Sequence, residues 1–199
     1  MNALTATTKG AATREAIIDR AYEIARFSGV EGLSIGPLAQ AVGMSKSGVF
    51  AHFGSREDLQ LAVLESAARR FGEATFITAL SQPRGLPRLR AMMHNWFNWV
   101  HSNTGSCVLV ASVSEYDDRP GPLREQVRRQ QQSWVDILRG AIQLAIDAGH
   151  LRPGDTEQYA FELYAIALNV HHQSGLFGQE QVEKLGKQAV ERWFVANSA

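Results

Sequence analysis

One short stretch of the sequence, between two glycines, carries side chains that can hydrogen-bond to an anionic ligand. Residues 43–54 read GMSKSGVFAHFG, in which Lys46 supplies a positive charge, Ser47 a hydroxyl and His52 an imidazole. Lysine and serine can bind phosphate oxygens or the acceptor atoms of bases, and a glycine such as Gly48 lets the backbone approach a ligand closely. The residue types therefore suit contact with a nucleic acid.

The residues around this stretch predict two short helices joined by a glycine turn. Ser34 is a suitable N-cap for the first helix, and Pro37 falls in its first turn, where a missing N–H costs little. Gly43 permits a tight turn, after which Ser45 caps the second helix. This arrangement is a helix-turn-helix, whose second helix fits the major groove of DNA with its N-terminal residues at the base edges. The three residues after Ser45 take that position.

The rest of the chain also has the spacing of amphipathic helices. Residues 13–29, TREAIIDRAYEIARFSG, carry one apolar stripe, and a long helix begins at Ser55, which forms a pair resembling a capping box with Asp58. Residues 81–87, SQPRGLP, interrupt the pattern, and helical spacing then continues to the end. About nine helices result, and no segment has the strand period bounded by hairpin signals. The predicted fold class is all-α.

Composition excludes several classes of protein. The 199 residues are 45% hydrophobic and 20% charged, which is typical of a globular chain and too apolar for a disordered one. No run approaches the roughly 18 residues of a membrane-spanning helix, and the N-terminus lacks an apolar signal-peptide core, so we expect a cytoplasmic protein. Cys107 is the one cysteine and cannot form an internal disulfide. The formal net charge is zero, so any affinity for nucleic acid must be local.

Residues 13–64 resemble the DNA-binding part of the TetR family of transcription regulators. The resemblance rests on LSIGPLAQAVGMSKSGVFAHFGSREDLQLAVL, which has that family's order of helix, glycine turn, recognition helix and aromatic-rich junction into a long fourth helix. The stretch CVLVASVSEYDDRPGPLREQV resembles regulatory domains of a subset of the family. The resemblance implies a nine-helix protein that regulates transcription by binding DNA.

The resemblance also implies how the chain is divided. We expect a flexible arm over residues 1–12, a helix-turn-helix domain over 13–58 and a helical domain for effector binding and dimerisation over 59–199. Because members of the family are mostly repressors that a small molecule releases from DNA, we expect the same here, without a cofactor. A homodimer would read a palindromic operator whose half-sites lie about 34 to 36 Å apart.

The expected dimer faces are the last two helices, over residues 156–177 and 180–195. The first of these has apolar residues beyond a single stripe, which supports the expectation. These residues are Phe161, Leu163, Ile166, Leu168, Val170 and Leu176.

The predicted DNA contacts are spread over the first four helices. His52 corresponds to a phosphate-contacting histidine of the family and Arg56 to a basic residue at the start of its fourth helix. Phe50 stands where the family usually has a tyrosine, so the hydroxyl contact is lost and apolar contact, for example with a thymine methyl, remains. The full set is Arg14, Ser34, Lys46, Ser47, Gly48, Phe50, His52 and Arg56.

Two of these assignments rest on helix ends, and two aromatic residues have an alternative. Arg14 and Ser34 lie near helix N-termini, which favour phosphates. Phe53 is expected in the core of the small domain, and the same packing is the alternative for Phe50.

Aromatic and sulfur-containing side chains of the central helices are candidates for lining a ligand pocket. Core packing is the alternative for each, because methionines and aromatics at helical spacing are more often core. Cys107 fits a small buried hydrophobe better than a redox switch. The candidate pocket residues are Met93, Trp96, Phe97, Cys107, Trp134, Tyr164 and His171, with Met92, Trp99 and Phe161 nearby in the pattern.

Other functions find less support in the sequence. His171 and His172 are adjacent and point about 100° apart on a helix, while His94 and His101 have no third ligand nearby, so no metal site is predicted. No nucleotide-binding glycine motif, GxSxG elbow or metal-ligand pair at i, i+4 occurs, which argues against an enzyme. A dimeric DNA-binding protein without an effector remains open.

Overall fold

The computed structural model of the protein describes residues 9–102 and 107–199, except for the side chain of Ser102. These residues form nine α-helices and, directly after α4, a π-helical turn, Glu73–Ile77. The α-helices are α1 (Lys9–Ser28), α2 (Ile35–Ala41), α3 (Lys46–Phe53), α4 (Arg56–Gly72), α5 (Leu86–Ser102), α6 (Val108–Tyr116), α7 (Pro122–Asp147), α8 (Thr156–Phe177) and α9 (Gln179–Ala196). The predicted all-α class is confirmed.

The first helix begins earlier than the sequence pattern predicts. Residues 9–12, assigned to the flexible arm, lie in α1, where Thr13 Oγ1 donates a hydrogen bond of 2.9 Å to the Lys9 carbonyl. Ala11 and Ala12 favour this extension because alanine has the highest helix propensity. The rest of the arm, residues 1–8, lies outside the described residues.

Serine caps begin two of the helices as the sequence predicts, and an aspartate cap begins a third. Ser45 Oγ accepts a 3.1 Å hydrogen bond from the Gly48 amide, and Ser55 Oγ accepts one of 3.0 Å from the Asp58 amide. Asp155 caps α8 in the same way. These caps satisfy amides that a helix leaves unpaired in its first turn, so they fix where the helices start.

Two groups of buried side chains form the core, and α4 contributes to both. The first core joins α1, α2, α3 and the front of α4, with Val108 and Tyr116 from α6 and Val127 from α7. The second core joins α5, α7, α8 and α9 with Phe71 near the end of α4. The first core thus contains residues from both sides of residue 58. The domain boundary expected at that residue stays a prediction.

The last two helices approach each other closely at Gly186 of α9. A Cβ atom on this residue would overlap Val170 Cγ2 of α8, and Gly186 itself is buried. Across the described residues, no helix is both long and apolar enough to span a bilayer.

Candidate nucleic-acid interface and ligand cavity

The short helix α3 is anchored by its inner face and exposes its N-terminal residues. Val49 and Phe53 are 0% and 7% exposed in the first core, so the expected core role of Phe53 agrees with its position. On the outer face Lys46 and Ser47 are exposed, and Phe50 is 42% exposed. The packing therefore leaves the first turn of α3 open to a ligand.

The turn between α2 and α3 holds this first turn in place. Gly43 has φ of 66°, which favours glycine, and the Met44 amide that follows donates to the Ala39 carbonyl at 2.9 Å. The stem of Lys46 passes over α2, because a Cβ on Gly36 would lie 3.3 Å from Lys46 Cε. The end of the Lys46 side chain, with Nζ 3.6 Å from the same Cβ position, therefore lies beside α2 and is exposed.

Gly48 has a structural reason for being small. A Cβ there would lie 3.2 Å from Ser45 Oγ and 3.3 Å from Met44 Cε, so a larger residue would press on the cap of α3. Ser47 Oγ lies 3.1 Å from Ser45 Oγ. These close contacts favour a small residue at position 48 whether or not Gly48 also contacts a ligand.

The remaining predicted DNA contacts differ in how free they are. His52 is half-buried at the end of α3, and Ser34 is exposed at the N-cap of α2 without forming a side-chain cap bond. The Arg14 guanidinium lies 4.9 Å from the centre of the Phe53 ring, a cation–π contact. Arg14 thus already has a partner within the protein.

Arg56 binds the loop between α1 and α2. Its Nε donates to the Leu33 carbonyl at 2.8 Å, and its terminal nitrogen Nη2 donates to the Glu31 carbonyl and lies 3.6 Å from the Glu31 carboxylate. These bonds use Nε and Nη2 of the guanidinium, so the geometry suits an internal clamp at least as well as the predicted DNA contact.

The same loop is also held from α6. Glu115 accepts hydrogen bonds from the backbone amides of Val30 at 3.2 Å and Glu31 at 2.8 Å, while Gln60 Nε2 of α4 donates to the Val30 carbonyl at 2.8 Å. We call these contacts, together with the Tyr116 hydroxyl donating to the Glu31 carboxylate at 3.2 Å, the loop clamp. The sequence gives no signal for it.

The Tyr116 hydroxyl stays protonated in this arrangement. Burial raises its pKa well above the ordinary value of 10.0, and the neighbouring Glu31 carboxylate raises it further. The hydroxyl is therefore a constant hydrogen-bond donor to Glu31 at physiological pH.

A cavity of about 300 Å³ lies between α4, α5, α6, α7 and α8. Aromatic rings form one side of it: Trp134 packs edge-on against Phe71 and Trp96 at centroid distances of 4.7 and 5.2 Å, and Trp96 against Tyr164 at 5.4 Å. Such a cavity is at the small end of ligand sites. The lining residues include Ala68, Phe71, Trp96, Cys107, Leu109, Gln130, Trp134 and Tyr164.

The predicted pocket residues divide between this cavity, a wider groove and the core. Trp96, Cys107, Trp134 and Tyr164 line the cavity. Met93 and Phe97, also expected there, line neither space and are fully buried in the second core, so the prediction was wrong for these two.

His171 lines the wider groove, of about 1280 Å³ between α6 and α8, which Cys107 also borders. Burial lowers the pKa of His171 below its ordinary value of 6.5. Among the residues that the structure describes, no three histidine, cysteine or acidic side chains meet in a geometry that could hold a metal ion.

Two family models match the sequence. One, for bacterial regulatory proteins of the tetR family, matches residues 17–63. The other, for the tetracyclin repressor-like C-terminal domain, matches residues 85–190. No curated protein matches the chain.

Several solved structures have the same fold. A TetR transcriptional regulator from Chloroflexus aurantiacus J-10-FL is 24% identical, with 96% of this chain and 98% of that chain covered and a TM-score of 0.87. A structure solved for the molecular basis of control of antibiotic production by a bacterial hormone is 27% identical, with coverage of 94% and 98% and a TM-score of 0.76.

A further structure is that of AibR in complex with isovaleryl coenzyme A and operator DNA. It is 24% identical, with 86% of this chain and 94% of that chain covered and a TM-score of 0.69. At this identity the likeness bears on the fold alone.

Proposed function

Because the chain belongs to the TetR family and is a DNA-binding transcription regulator by that membership, we propose that it is a repressor that binds a palindromic operator as a homodimer and leaves it when a small molecule binds. The observation that carries the proposal is the open first turn of α3, with Lys46 and Ser47 exposed in front of the buried Val49 and Phe53. A helix presented in this way can enter a major groove.

The local charge supports the proposal although the whole chain is neutral. Residues 34–55 contain no acidic residue, and Lys46 is their one full positive charge. The acidic residues of α1 are paired within the protein: Glu15 with Arg69 at 3.5 Å and Asp19 with Arg70 at 2.5 Å. A phosphate backbone that approaches the first turn of α3 therefore meets Lys46 and no acidic residue within residues 34–55.

Exposed apolar residues on α8 and α9 support the homodimer. Phe161, Leu176 and Phe177 are each 69–70% exposed on α8, and Leu185 is 54% exposed on α9. Of the residues expected at the dimer face, Leu163 and Val170 are instead buried within the protomer, Ile166 is half-buried and Leu168 is 37% exposed. A second copy that covered the exposed set would remove a large apolar surface from water.

Two elements connect the cavity with the DNA-binding helices. Ala68 and Phe71 of α4 line the cavity, while the front of the same helix packs in the first core. Leu109 of α6 also lines the cavity, and Glu115 at the other end of α6 belongs to the loop clamp. We propose that a ligand that favours one position of α4 and α6 changes the spacing of the two recognition helices, with a coupling of about 1 to 3 kcal/mol.

The test is a selection of binding sites from a random pool of double-stranded DNA with the full-length protein. We expect a sequence with two-fold symmetry, bound by two protomers, as measured by fluorescence anisotropy and sedimentation. Selection of no preferred sequence, or a strictly monomeric protein, would refute the proposal.

A substitution at Lys46 tests the assignment of α3. Lys46→Ala should weaken operator binding and lower the slope of log K against log salt by about 1 per protomer, because one phosphate contact is lost. Arg84→Ala is the control, since Arg84 is an exposed positive charge between α4 and α5. An unchanged slope for Lys46→Ala would remove Lys46 from the interface.

A further inference from the structure

Three buried polar atoms on the α7 wall of the cavity have no hydrogen-bond partner among the residues that the structure describes. They are Nε2 and Oε1 of Gln130 and Nε1 of Trp134. The two residues are four apart on α7, so their side chains lie on the same face of the helix. Both line the cavity of about 300 Å³. Because buried polar groups in folded proteins are nearly always paired, these atoms point to a ligand.

The other polar groups around the cavity bind one another. The Tyr164 hydroxyl donates to Gln131 Oε1 at 2.5 Å, and Gln131 Nε2 donates to the Leu109 carbonyl at 3.2 Å. The Gln130 amide and the Trp134 indole N–H therefore differ from the Tyr164 and Gln131 side chains, which have hydrogen-bond partners within the protein.

The charges around the cavity argue against a cationic ligand. None of the described residues that line it is an aspartate or a glutamate, so a cationic group would have no counter-charge there. Arg129 is the one charged residue in the described part of the lining; it is exposed, and its guanidinium donates to Gln126 Oε1 at 2.6 Å. A carboxylate placed against Gln130 and Trp134 could accept from their N–H groups but would leave Gln130 Oε1 without a donor, because an ionised carboxylate only accepts hydrogen bonds. An uncharged polar group fits best.

We propose that the cavity binds an uncharged, mainly aromatic molecule whose polar group both accepts and donates hydrogen bonds, such as an aryl amide, a lactam or a phenol. The ligand oxygen accepts from Trp134 Nε1 and Gln130 Nε2, and its N–H or O–H donates to Gln130 Oε1. Its rings pack against Phe71, Trp96 and Tyr164, where edge-on aromatic contacts already prevail. The identification of this molecule as the effector rests on the proposed function.

The first experiment titrates the full-length protein with three naphthalene probes, followed by calorimetry and by tryptophan fluorescence. 2-Naphthamide carries the proposed polar group, 2-methylnaphthalene lacks it, and 2-naphthylmethylamine is a cation. We expect the amide to bind about tenfold or more tightly than the hydrocarbon, because an apolar probe leaves the buried polar atoms unpaired. The amine should bind more weakly than the amide. Equal affinities, or no binding of the amide, would overturn the proposal.

Variants identify the polar atoms responsible. Gln130→Leu and Trp134→Phe should each lower the affinity for the amide about tenfold and leave the affinity for the hydrocarbon within about threefold. Gln132→Leu is the matched control, because Gln132 lies on the same helix but is exposed and donates to Asp136. Urea midpoints of all variants show whether they remain folded. Wild-type selectivity in both cavity variants would overturn the assignment.

The outcome can be separated from that of the proposed function. Selective binding of the amide supports the cavity chemistry even if the protein binds no operator, in which case the proposed function alone fails. If the operator binds normally and the amide occupies the cavity without changing operator affinity, the cavity chemistry stands and the effector role is overturned.

Discussion

Removing the Glu115 carboxylate should loosen the first core by a predictable amount. This side chain accepts hydrogen bonds from the amides of Val30 and Glu31, at 3.2 and 2.8 Å, across 85 and 84 residues of sequence. Val30 is 1% exposed, so water has little access to its amide after Glu115→Ala. Hydrogen bonds to charged groups contribute about 1.5 to 3 kcal/mol each when buried, and the partial exposure of this pair reduces the expected loss to about 1 to 2 kcal/mol in total.

The assay is urea unfolding at a fixed protomer concentration, because the stability of a dimer depends on concentration. We expect a lower midpoint with an unchanged m-value, since the surface exposed on unfolding stays the same. Glu65→Ala is the control: Glu65 is exposed in the middle of α4. If Glu115→Ala destabilises the protein no more than Glu65→Ala does, the loop clamp contributes nothing and the reasoning fails.

Four further substitutions and one change of pH have expected outcomes. Gly186→Ala should destabilise the protein by about 1 to 3 kcal/mol in thermal unfolding, because overlap with Val170 outweighs the gain in helix propensity. Gly140→Ala is the control: Gly140 has open space around it, so this substitution should stabilise the protein by up to about 1 kcal/mol. Burial holds the pKa of His171 below 6.5, so the unfolded chain takes up a proton first as the pH falls; the free energy of unfolding should decrease below about pH 6.5, and less so in His171→Gln. Arg56→Ala should lower the urea midpoint and leave the salt dependence of operator binding unchanged. A reduced salt dependence with an unchanged urea midpoint would instead support Arg56 as a phosphate contact.

The helix-turn-helix could be predicted from the sequence because its determinants are local. Gly43 and Ser45 act on neighbouring backbone, and the first turn of α3 lies within three residues of its cap. The fold class followed from helical spacing in the same way. Residues 9–12 were misassigned because the absence of an apolar stripe does not prevent a short alanine-rich extension of a helix.

The ligand cavity was less accessible to sequence reasoning. Met93 and Trp96 lie on the same stripe of α5 and both belong to the second core, yet Trp96 lines the cavity and Met93 does not. Which side a stripe residue faces depends on how α4 and α7 pack against it, and spacing alone does not contain that information. Gln130 gave no signal within a run of three glutamines, although its i, i+4 relation to Trp134 was visible.

The first core contains Val108 and Tyr116 of α6 and Val127 of α7 as well as the DNA-binding helices. A chimera that joins the DNA-binding helices of this chain, cut at residue 58, to the C-terminal domain of another regulator would therefore lack the α6 and α7 residues that complete the first core. A chimera that keeps α6 and the first turns of α7 together with the DNA-binding helices retains the whole first core, and we expect this chimera to fold and to bind DNA.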